Sequence, residues 1–225
     1  MLDLILALVL LFGFADTKSQ QVNSSIFPLK STDKLELLRA KAEPVTYAGR
    51  TGLRVLPAAG HETTDESLLV ILNGTDFKDG IIETEVAGLP RAGAPPDARG
   101  FVGIAFRVQP HGERYECIYL RPTNARADDQ VRRNHTTQYV SEPEFPWRRM
   151  RKEFPRMYES YVDIDPDGWT RIKIVVSGDT ARLYVNNAPQ PILVVNDLKL
   201  GESHGQIALW SHSDTEAYFS DLSIR

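Results

Sequence analysis

Two carboxylates that stand two residues apart on a predicted strand are the first candidates for chemistry. Glu83 and Glu85 lie within the predicted strand Gly80–Ala87. Alternate residues of a strand face the same side, so the two Cα atoms would be about 6.5–7 Å apart. Glycoside hydrolysis uses such a pair, one carboxyl as the acid and the other as the base or nucleophile. A solvated strand face carries the same pattern, so both interpretations stay open.

A long polar segment supplies the second group of candidates. The predicted strand Arg114–Arg121 ends before Pro122, and a connection rich in Arg, Tyr, Trp and Phe follows. From Arg121 to Arg156 there are nine Lys or Arg against five Asp or Glu, in a chain with a net charge of -4. Long connections in compact domains are usually functional or disordered, and aromatic and β-branched residues argue against disorder. We therefore predict that residues 122–158 overhang a binding site.

The residue types of this region suit a saccharide. Sugars are recognised by planar polar groups that match hydroxyl pairs and by aromatic rings, and arginine provides a rigid fork of donors. The predicted ligand-binding residues are Arg107, Tyr119, Arg121, Asn124, Asp129, Arg132, Asn134, Gln138, Tyr139 and Trp147. His135 could act as a general acid or base near neutral pH. The alternative is that the arginines pair with Asp128, Asp129, Glu142 and Glu144 and only pin the loop.

Three of these residues are expected to serve function more than structure. Arg121 ends a strand on the same face as Tyr119, and Pro122 then stops the ladder. His135 and Tyr139 are an even number of residues apart around the next extended segment, so they would share a face. Trp210 and His212 also share a strand face and could extend the site, although Trp210 fits the core equally well.

The elements that must position these residues are predicted to be strands. Strand signals recur about every ten residues from Pro44 to Arg225, separated by turn sequences such as Lys78-Asp-Gly80 and Asp165-Pro-Asp-Gly168. Many short strands without a βαβ rhythm predict an all-β, two-sheet antiparallel jelly-roll sandwich. A short helix is predicted within Ser31–Lys41. We divide the chain into a signal peptide (1–15), a lead-in with that helix (16–43) and one sandwich domain (44–225).

Composition narrows the class of protein further. Leu4–Ala15 is apolar, too short to span a bilayer and ends with the small residues Gly13 and Ala15 at the cleavage-determining positions, so we expect a cleaved export signal, although Asp3 replaces the usual basic residue. We therefore expect an extracellular or periplasmic location and no transmembrane segment. Cys117 is the single cysteine, which excludes an internal disulfide. A mildly acidic chain has no electrostatic reason to bind nucleic acid.

No metal or cofactor is predicted. The five histidines are scattered and show no zinc-type spacing. Asp163-Ile-Asp-Pro-Asp-Gly168 imitates the start of an EF-hand loop, but Ile174 stands where the bidentate Glu belongs, so a β-turn is the better interpretation. A structural calcium ion elsewhere in the chain stays an open alternative, but the sequence identifies no set of ligands for it.

Several strand sequences resemble the concanavalin A-like lectin/glucanase superfamily. They are Trp169-Thr-Arg-Ile-Lys-Ile-Val-Val-Ser-Gly, His204-Gly-Gln-Ile-Ala-Leu-Trp, Ala217-Tyr-Phe-Ser-Asp-Leu-Ser-Ile, Phe77-Lys-Asp-Gly-Ile-Ile-Glu-Thr-Glu-Val and Gly103-Ile-Ala-Phe-Arg. The resemblance covers about residues 65–225. It is nearest to laminin-G-like modules and to the 3-keto-disaccharide hydrolase branch.

The resemblance implies carbohydrate as the partner and leaves three functions open. The first is an exported domain that binds a saccharide on the polar sheet face under the 122–158 segment. The second is a glycoside hydrolase, including one that acts on 3-keto-glycosides. The third is a laminin-G-like module that binds protein.

Overall fold

Fifteen strands and two short helices form in residues 24–62 and 65–225, the part of the chain that the computed structural model describes. The strands are β1 Ser25–Phe27, β2 Leu35–Leu38, β3 Ala40–Tyr47, β4 Arg50–Pro57, β5 Ser67–Phe77, β6 Gly80–Pro90, β7 Val102–Val108, β8 Tyr115–Leu120, β9 Thr137–Glu142, β10 Glu159–Ser160, β11 Thr170–Ser177, β12 Thr180–Val185, β13 Leu193–Val195, β14 Gly205–His212 and β15 Thr215–Ile224. The helices are α1 Gln130–Asn134 and α2 Trp147–Glu153. None of the helices in these residues is long and apolar enough to cross a membrane.

The strands form two antiparallel sheets. The front sheet has the order β10-β9-β8-β7-β14-β5-β2, and the back sheet has the order β13-β12-β11-β6-β15-β4-β3, with β1 paired to β15. Both sheets combine runs of consecutive strands with neighbours that are distant in sequence, such as β7 with β14 and β6 with β15, as Greek-key connections of a jelly roll require. The predicted all-β, two-sheet antiparallel jelly roll is confirmed.

Alternating apolar residues of both sheets meet in the core. On β7, Val102, Ile104 and Phe106 point between the sheets, and on β11, Ile172 and Ile174 do the same. All five are essentially inaccessible to solvent. Each such side chain contributes about 1.5–3 kcal/mol by leaving water. This core holds the two sheets together without any cross-link.

The front sheet is buried on its second face as well. Every residue of β7 and β8 is buried, which a sheet with one solvated face would not show. A separate apolar cluster lies on that face, and Trp147 of α2 packs against it. The 122–158 segment therefore folds back over the front sheet. The space left between them is the cavity described below.

The helix predicted within Ser31–Lys41 is wrong. Leu35–Leu38 forms β2 and pairs with β5, and Ala40 begins β3 in the other sheet. Arg39, between them, has a φ of 57°, and this left-handed residue turns the chain from one sheet to the other. Pairing with an open sheet edge overrides the local helical pattern. The sandwich thus includes residues before 44, whereas the predicted signal peptide, 1–15, lies outside the described residues.

Arg107 also lies elsewhere than predicted. Its φ of 53° interrupts the alternation of β7, and the register of β7 against β14 shifts at the same place. The guanidinium therefore leaves the polar face and is fully buried at the edge of the core. It donates to the carbonyls of Lys78 (3.0 Å), Gly178 (2.6 Å) and Gly201 (2.8 Å). Arg107 therefore links three turns and does not line the cavity.

Replacement of Arg107 by Gln should destabilise the fold without altering the cavity. It removes the donors to three carbonyls in a buried place, and stranding buried hydrogen-bonding groups costs about 1–3 kcal/mol each. We expect a loss of roughly 3 kcal/mol or more in the free energy of unfolding, measured by urea denaturation. Arg126→Gln is the control, because that side chain is 55% exposed and should change stability by less than about 0.5 kcal/mol. Equal stability of the two variants would contradict the assigned role.

Candidate functional site

A cavity of about 700 Å³ lies between the front sheet and the 122–158 segment. Its floor is made by side chains of β8, β9 and β14 and by Phe101, and its far wall is α2 with the loop before it. The loop between β4 and β5 and the segment before β7 complete the rim. A volume of this size is typical of a small-ligand site.

Aromatic rings form the centre of the floor. Tyr119 and Trp210 stack with their ring centroids 4.5 Å apart, and Phe101 meets Tyr119 edge-on at 6.0 Å. The stack forms across Gly103, which lies between the two strands that carry the rings. A Cβ atom on Gly103 would lie 2.5 Å from the Cα of Tyr119, so only glycine allows this approach. Ring faces of this kind suit the apolar face of a sugar.

One end of the cavity is built around Arg121. Its guanidinium donates to the carbonyl of His135 (2.9 Å), to the hydroxyl of Tyr119 (3.0 Å) and to Oε1 of Gln138. It also lies over the Tyr119 ring, 5.0 Å from its centroid. Burial lowers the pKa of Arg121, while the nearby Tyr119 and Glu159 oppose that effect. Arg121 thereby fixes the start of the 122–158 segment against the sheet.

Glu159 of β10 is the counter-charge at this end. Its side chain is only 4% exposed and pairs with Arg121 (3.6 Å), His135 (3.4 Å) and Arg151 of α2. Burial lowers the pKa of His135, and the positive charges of Arg151 and Arg121 lower it further, against the effect of Glu159. His135 is therefore held mainly neutral near pH 7.

His212 lies at the end of β14 between two carboxylates. Its Nδ1 is 2.9 Å from Oδ1 of Asp214 and its Nε2 is 3.0 Å from Oδ1 of Asp65. Burial alone would lower the pKa of His212, but the hydrogen bonds and charges of Asp214 and Asp65 outweigh it and raise the pKa. Asp65 also pairs with Arg148 of α2 at 3.1 Å, which links this histidine to the far wall.

Six of the predicted site residues line the cavity together. They are Tyr119, Arg121, Asn124, Arg132, His135 and Trp147. Asn124 is buried, donates to the carbonyl of His135 (3.2 Å) and lies 3.5 Å from Nε of Arg132. The guanidiniums of Arg148 and Arg151 lie over the ring of Trp147, 4.6 and 4.9 Å from its centroid. Their part in binding a ligand stays a prediction.

The other predicted residues lie outside the cavity lining. Gln138 is buried beneath Arg121, and Asp129 caps α1 by accepting the Arg132 amide (2.8 Å). Asn134 is exposed on α1 and pairs with Gln130 (2.8 Å). These three side chains support or decorate the segment and do not face the cavity.

Tyr139 is wrong as a functional residue of this cavity, because it points into the core. The strand β9 begins at Thr137, whereas His135 still belongs to the end of α1, so the two do not share a strand face. The Tyr139 hydroxyl donates to Glu116 (2.6 Å) and accepts the Lys199 amide (2.6 Å), with no solvent exposure. Burial raises the pKa of Tyr139, as does Glu116.

The carboxylate pair Glu83 and Glu85 lies on the back sheet, away from the cavity. The two do share a face, and Arg171 reaches both, at 3.4 and 3.7 Å. Arg225 also pairs with Glu83, and Arg50 lies 3.9 Å from Glu85. Both carboxylates are consumed in this ion-pair network, so the structure favours the structural interpretation of the pair over the catalytic one.

Several cavity residues were not predicted. Asp65, Asp214, Arg99 and Arg151 come from distant parts of the chain and meet only in the folded state. Glu142 also lines the cavity, and burial, followed by the charge of Glu144, raises its pKa. The sequence signal that could have found Asp214 was the shared strand face of Trp210 and His212, which continues to Asp214.

Among the described residues no group of three or more His, Cys, Asp or Glu is placed to hold a metal ion.

The fold and the cavity together define a concanavalin A-like jelly roll. Similar solved structures are carbohydrate binding module CBM66 from Bacillus subtilis (12% identity, 85% of this chain and 96% of that chain, TM-score 0.59) and a galectin-like protein of unknown function from Bacillus subtilis (13%, 89% and 94%, 0.59). Peanut lectin is similar at 8% identity (90% and 96%, 0.52). At such identities the likeness shows the fold alone.

The family is shown by sequence. The model of the 3-keto-alpha-glucoside-1,2-lyase-like domain matches residues 47–225, so the chain belongs to this family. It is thus a carbohydrate-binding or glycosidase-like domain. No curated protein sequence matches the chain.

The pKa values of the two cavity histidines should be shifted in opposite directions from the ordinary value for histidine. We expect nuclear magnetic resonance to give His212 a pKa above the ordinary value of about 6.5 and His135 a pKa below it. In Asp214→Asn the pKa of His212 should fall, while that of His135 stays. The charged pairing of His212 should stabilise the fold fully below about pH 6.5 and be lost as the pH rises through the raised pKa. A His212 pKa below that of His135 would contradict this electrostatic arrangement.

Proposed function

We propose that this chain binds a 3-keto-glycoside in the cavity of the front sheet and cleaves its glycosidic bond by elimination. The observation that carries the proposal is a histidine–aspartate pair, His212 and Asp214, beside a guanidinium and an aromatic floor in one cavity. The family description, which names a 3-keto-α-glucoside-1,2-lyase, supports this class of reaction.

The chemistry needs a base and a stabiliser of negative charge. A ketone at C3 acidifies the hydrogen at C2, and removal of that proton gives an enolate. The enolate then expels the oxygen at C1, and a double bond forms between C1 and C2. The departing oxygen takes up a proton. No oxidant, reductant or water is consumed, so the chain has to supply only proton transfer and charge stabilisation.

His212 is suited to accept the proton. Asp214 holds Nδ1 as the protonated nitrogen, which leaves Nε2 as the reactive atom. In the free protein Nε2 faces Asp65, whose side chain is 65% exposed. A substrate that enters displaces this carboxylate, the Nε2 proton passes to solvent, and the neutral imidazole then accepts the C2 proton at Nε2. Against the effect of burial, the carboxylates of Asp214 and Asp65 raise the pKa of His212, which makes its neutral form a stronger base.

Arg99 is suited to stabilise the enolate oxygen. It lines the same cavity, and the charge of Asp214 acts on it. Its guanidinium donates to the carbonyl of Ala98 (3.3 Å) and has further N–H groups for a ligand. The sugar ring itself would rest on the stacked Tyr119 and Trp210.

Saccharide binding without cleavage is the second candidate. The stacked pair Tyr119 and Trp210 favours it, because an aromatic platform recognises sugars whether or not a reaction follows. The two candidates share a site and differ in turnover alone.

The experiment is incubation of the purified chain with a 3-keto-α-glucoside, with products resolved by liquid chromatography and mass spectrometry. We expect release of the aglycone together with an unsaturated keto-sugar. His212→Gln should lower the rate by about 10²-fold or more, the usual contribution of a positioned acid or base. His204→Gln is the matched control, since His204 is 70% exposed and pairs with Asp76 outside the cavity.

The outcomes separate the candidates. Binding of the sugar without any product supports the second candidate and rejects the first. Cleavage that His212→Gln leaves unchanged rejects the assigned base. Neither binding nor cleavage rejects both candidates.

A further inference from the structure

Positive charge is in surplus at the end of the cavity around Arg121. Four guanidiniums of the cavity lining gather there, those of Arg99, Arg121, Arg132 and Arg151. The carboxylates that act on them there are Glu159, which Arg121 and Arg151 share, and Asp97 and Asp214, which both act on Arg99. The end is therefore short of negative charge even before the reaction is considered.

This cluster is held in place by one short turn. Pro122–Asn124 is a 3-10 turn directly after Arg121. Thr123 bonds the carbonyl of Arg99 through its amide (3.4 Å) and its hydroxyl (3.3 Å). Asn124, buried next to it, accepts from Nε of Arg132 (3.5 Å). The turn thus brings three arginines from separate parts of the chain to one place.

Two of the guanidiniums keep donors for a ligand. Arg132 uses Nε on Asn124, which leaves both terminal nitrogens, and Arg99 uses one terminal nitrogen on the Ala98 carbonyl. Within the described residues neither of them forms an ion pair with a carboxylate at 4.0 Å or less. Burial lowers the pKa of Arg99, and the charges of Arg132 and Arg121 lower it further, which shows the mutual repulsion.

We infer that this end of the cavity is a subsite for the carboxylate of an acidic sugar, so that the preferred glycoside carries a uronic acid residue. The inference rests on the proposed function for the kind of ligand. A planar carboxylate matches the fork of a guanidinium through two parallel hydrogen bonds. An enolate oxygen on Arg99 forms only during the reaction, and it leaves Arg132 without a counter-charge in the bound ground state. A permanent anion removes the repulsion from the start.

The test uses disaccharides without a keto group, so that binding is measured apart from turnover. The probes are a disaccharide of glucose and glucuronic acid and its neutral counterpart made of two glucose units, compared by isothermal titration calorimetry. We expect the acidic probe to bind at least tenfold more tightly at low salt. Its advantage should shrink as salt rises, because ions screen the attraction.

Variants assign the effect to the cluster. Arg132→Gln should remove most of the preference for the acidic probe while leaving the affinity for the neutral probe within about twofold. Arg99→Gln is a second variant that should also reduce the preference for the acidic probe, and it leaves the contacts of Asn124 in place. Arg126→Gln, an exposed arginine paired with Asp163 outside the cavity, is the matched control and should keep the full preference.

Equal affinity for the two probes would overturn the inference, as would a preference that survives both Arg132→Gln and Arg99→Gln. A failure to bind either probe would overturn it as well. Tighter binding of a sulfated disaccharide than of the uronic acid probe would reject a carboxylate as the natural group. Cleavage of a neutral 3-keto-glycoside is measured separately, so the subsite can fail while the proposed reaction stands.

Discussion

The buried ion cluster of Arg121 and Glu159 is the interaction on which the cavity depends. Arg121 directly follows β8, at the point where Pro122 stops the ladder, and its donors reach the His135 carbonyl and the Tyr119 hydroxyl. Glu159 meets it from β10 and at the same time holds Arg151 of α2. Both ends of the 122–158 segment are thereby tied to one place on the front sheet. Breaking one partner of such a buried set strands the others, which is costly.

This arrangement gives the cavity two different surfaces. The floor is aromatic because Gly103 lets Tyr119 and Trp210 stack across a strand without a side chain between them. The end is charged because a short turn gathers arginines there, and the His212–Asp214 pair lies at the end of β14. In the proposed function the apolar platform holds the sugar ring, and the charged end surrounds its reacting or ionised oxygen with donors. The positions of the strands therefore determine which part of the cavity is aromatic and which part is charged.

Much of the fold could be predicted from local sequence. The alternation on β7, β11 and β14 settles the two-sheet architecture, and the composition of the 122–158 segment points to the face that it covers. The errors arise where backbone geometry changes the register. A left-handed residue at Arg107 turns its side chain out of the site, and His135 lies at the end of α1 while Tyr139 lies on the core face of β9, so the two do not share a face. The helix expected near Leu35 does not form, because these residues pair with the open edge of the front sheet as β2.

The missed site residues share one physical reason. Asp65 and His212 are 147 positions apart in sequence, and Glu159 reaches Arg121 only through sheet pairing. No local pattern carries such a contact, because the partners are chosen by topology. Glu83 and Glu85 have the right spacing for a shared face, but arginines from other parts of the chain pair with them. Spacing identifies a face and does not identify what lies opposite.

The central claim is that the saccharide occupies the cavity between the front sheet and the 122–158 segment. The most direct test is a crystal structure determined after soaking crystals of the protein with a 3-keto-glycoside analogue. The analogue is one that cannot undergo elimination. The account predicts a sugar ring stacked on Tyr119 and Trp210, with its keto oxygen toward Arg99 and C2 near Nε2 of His212. A sugar bound on the back sheet, for example beside Trp169, with the cavity empty, would contradict it.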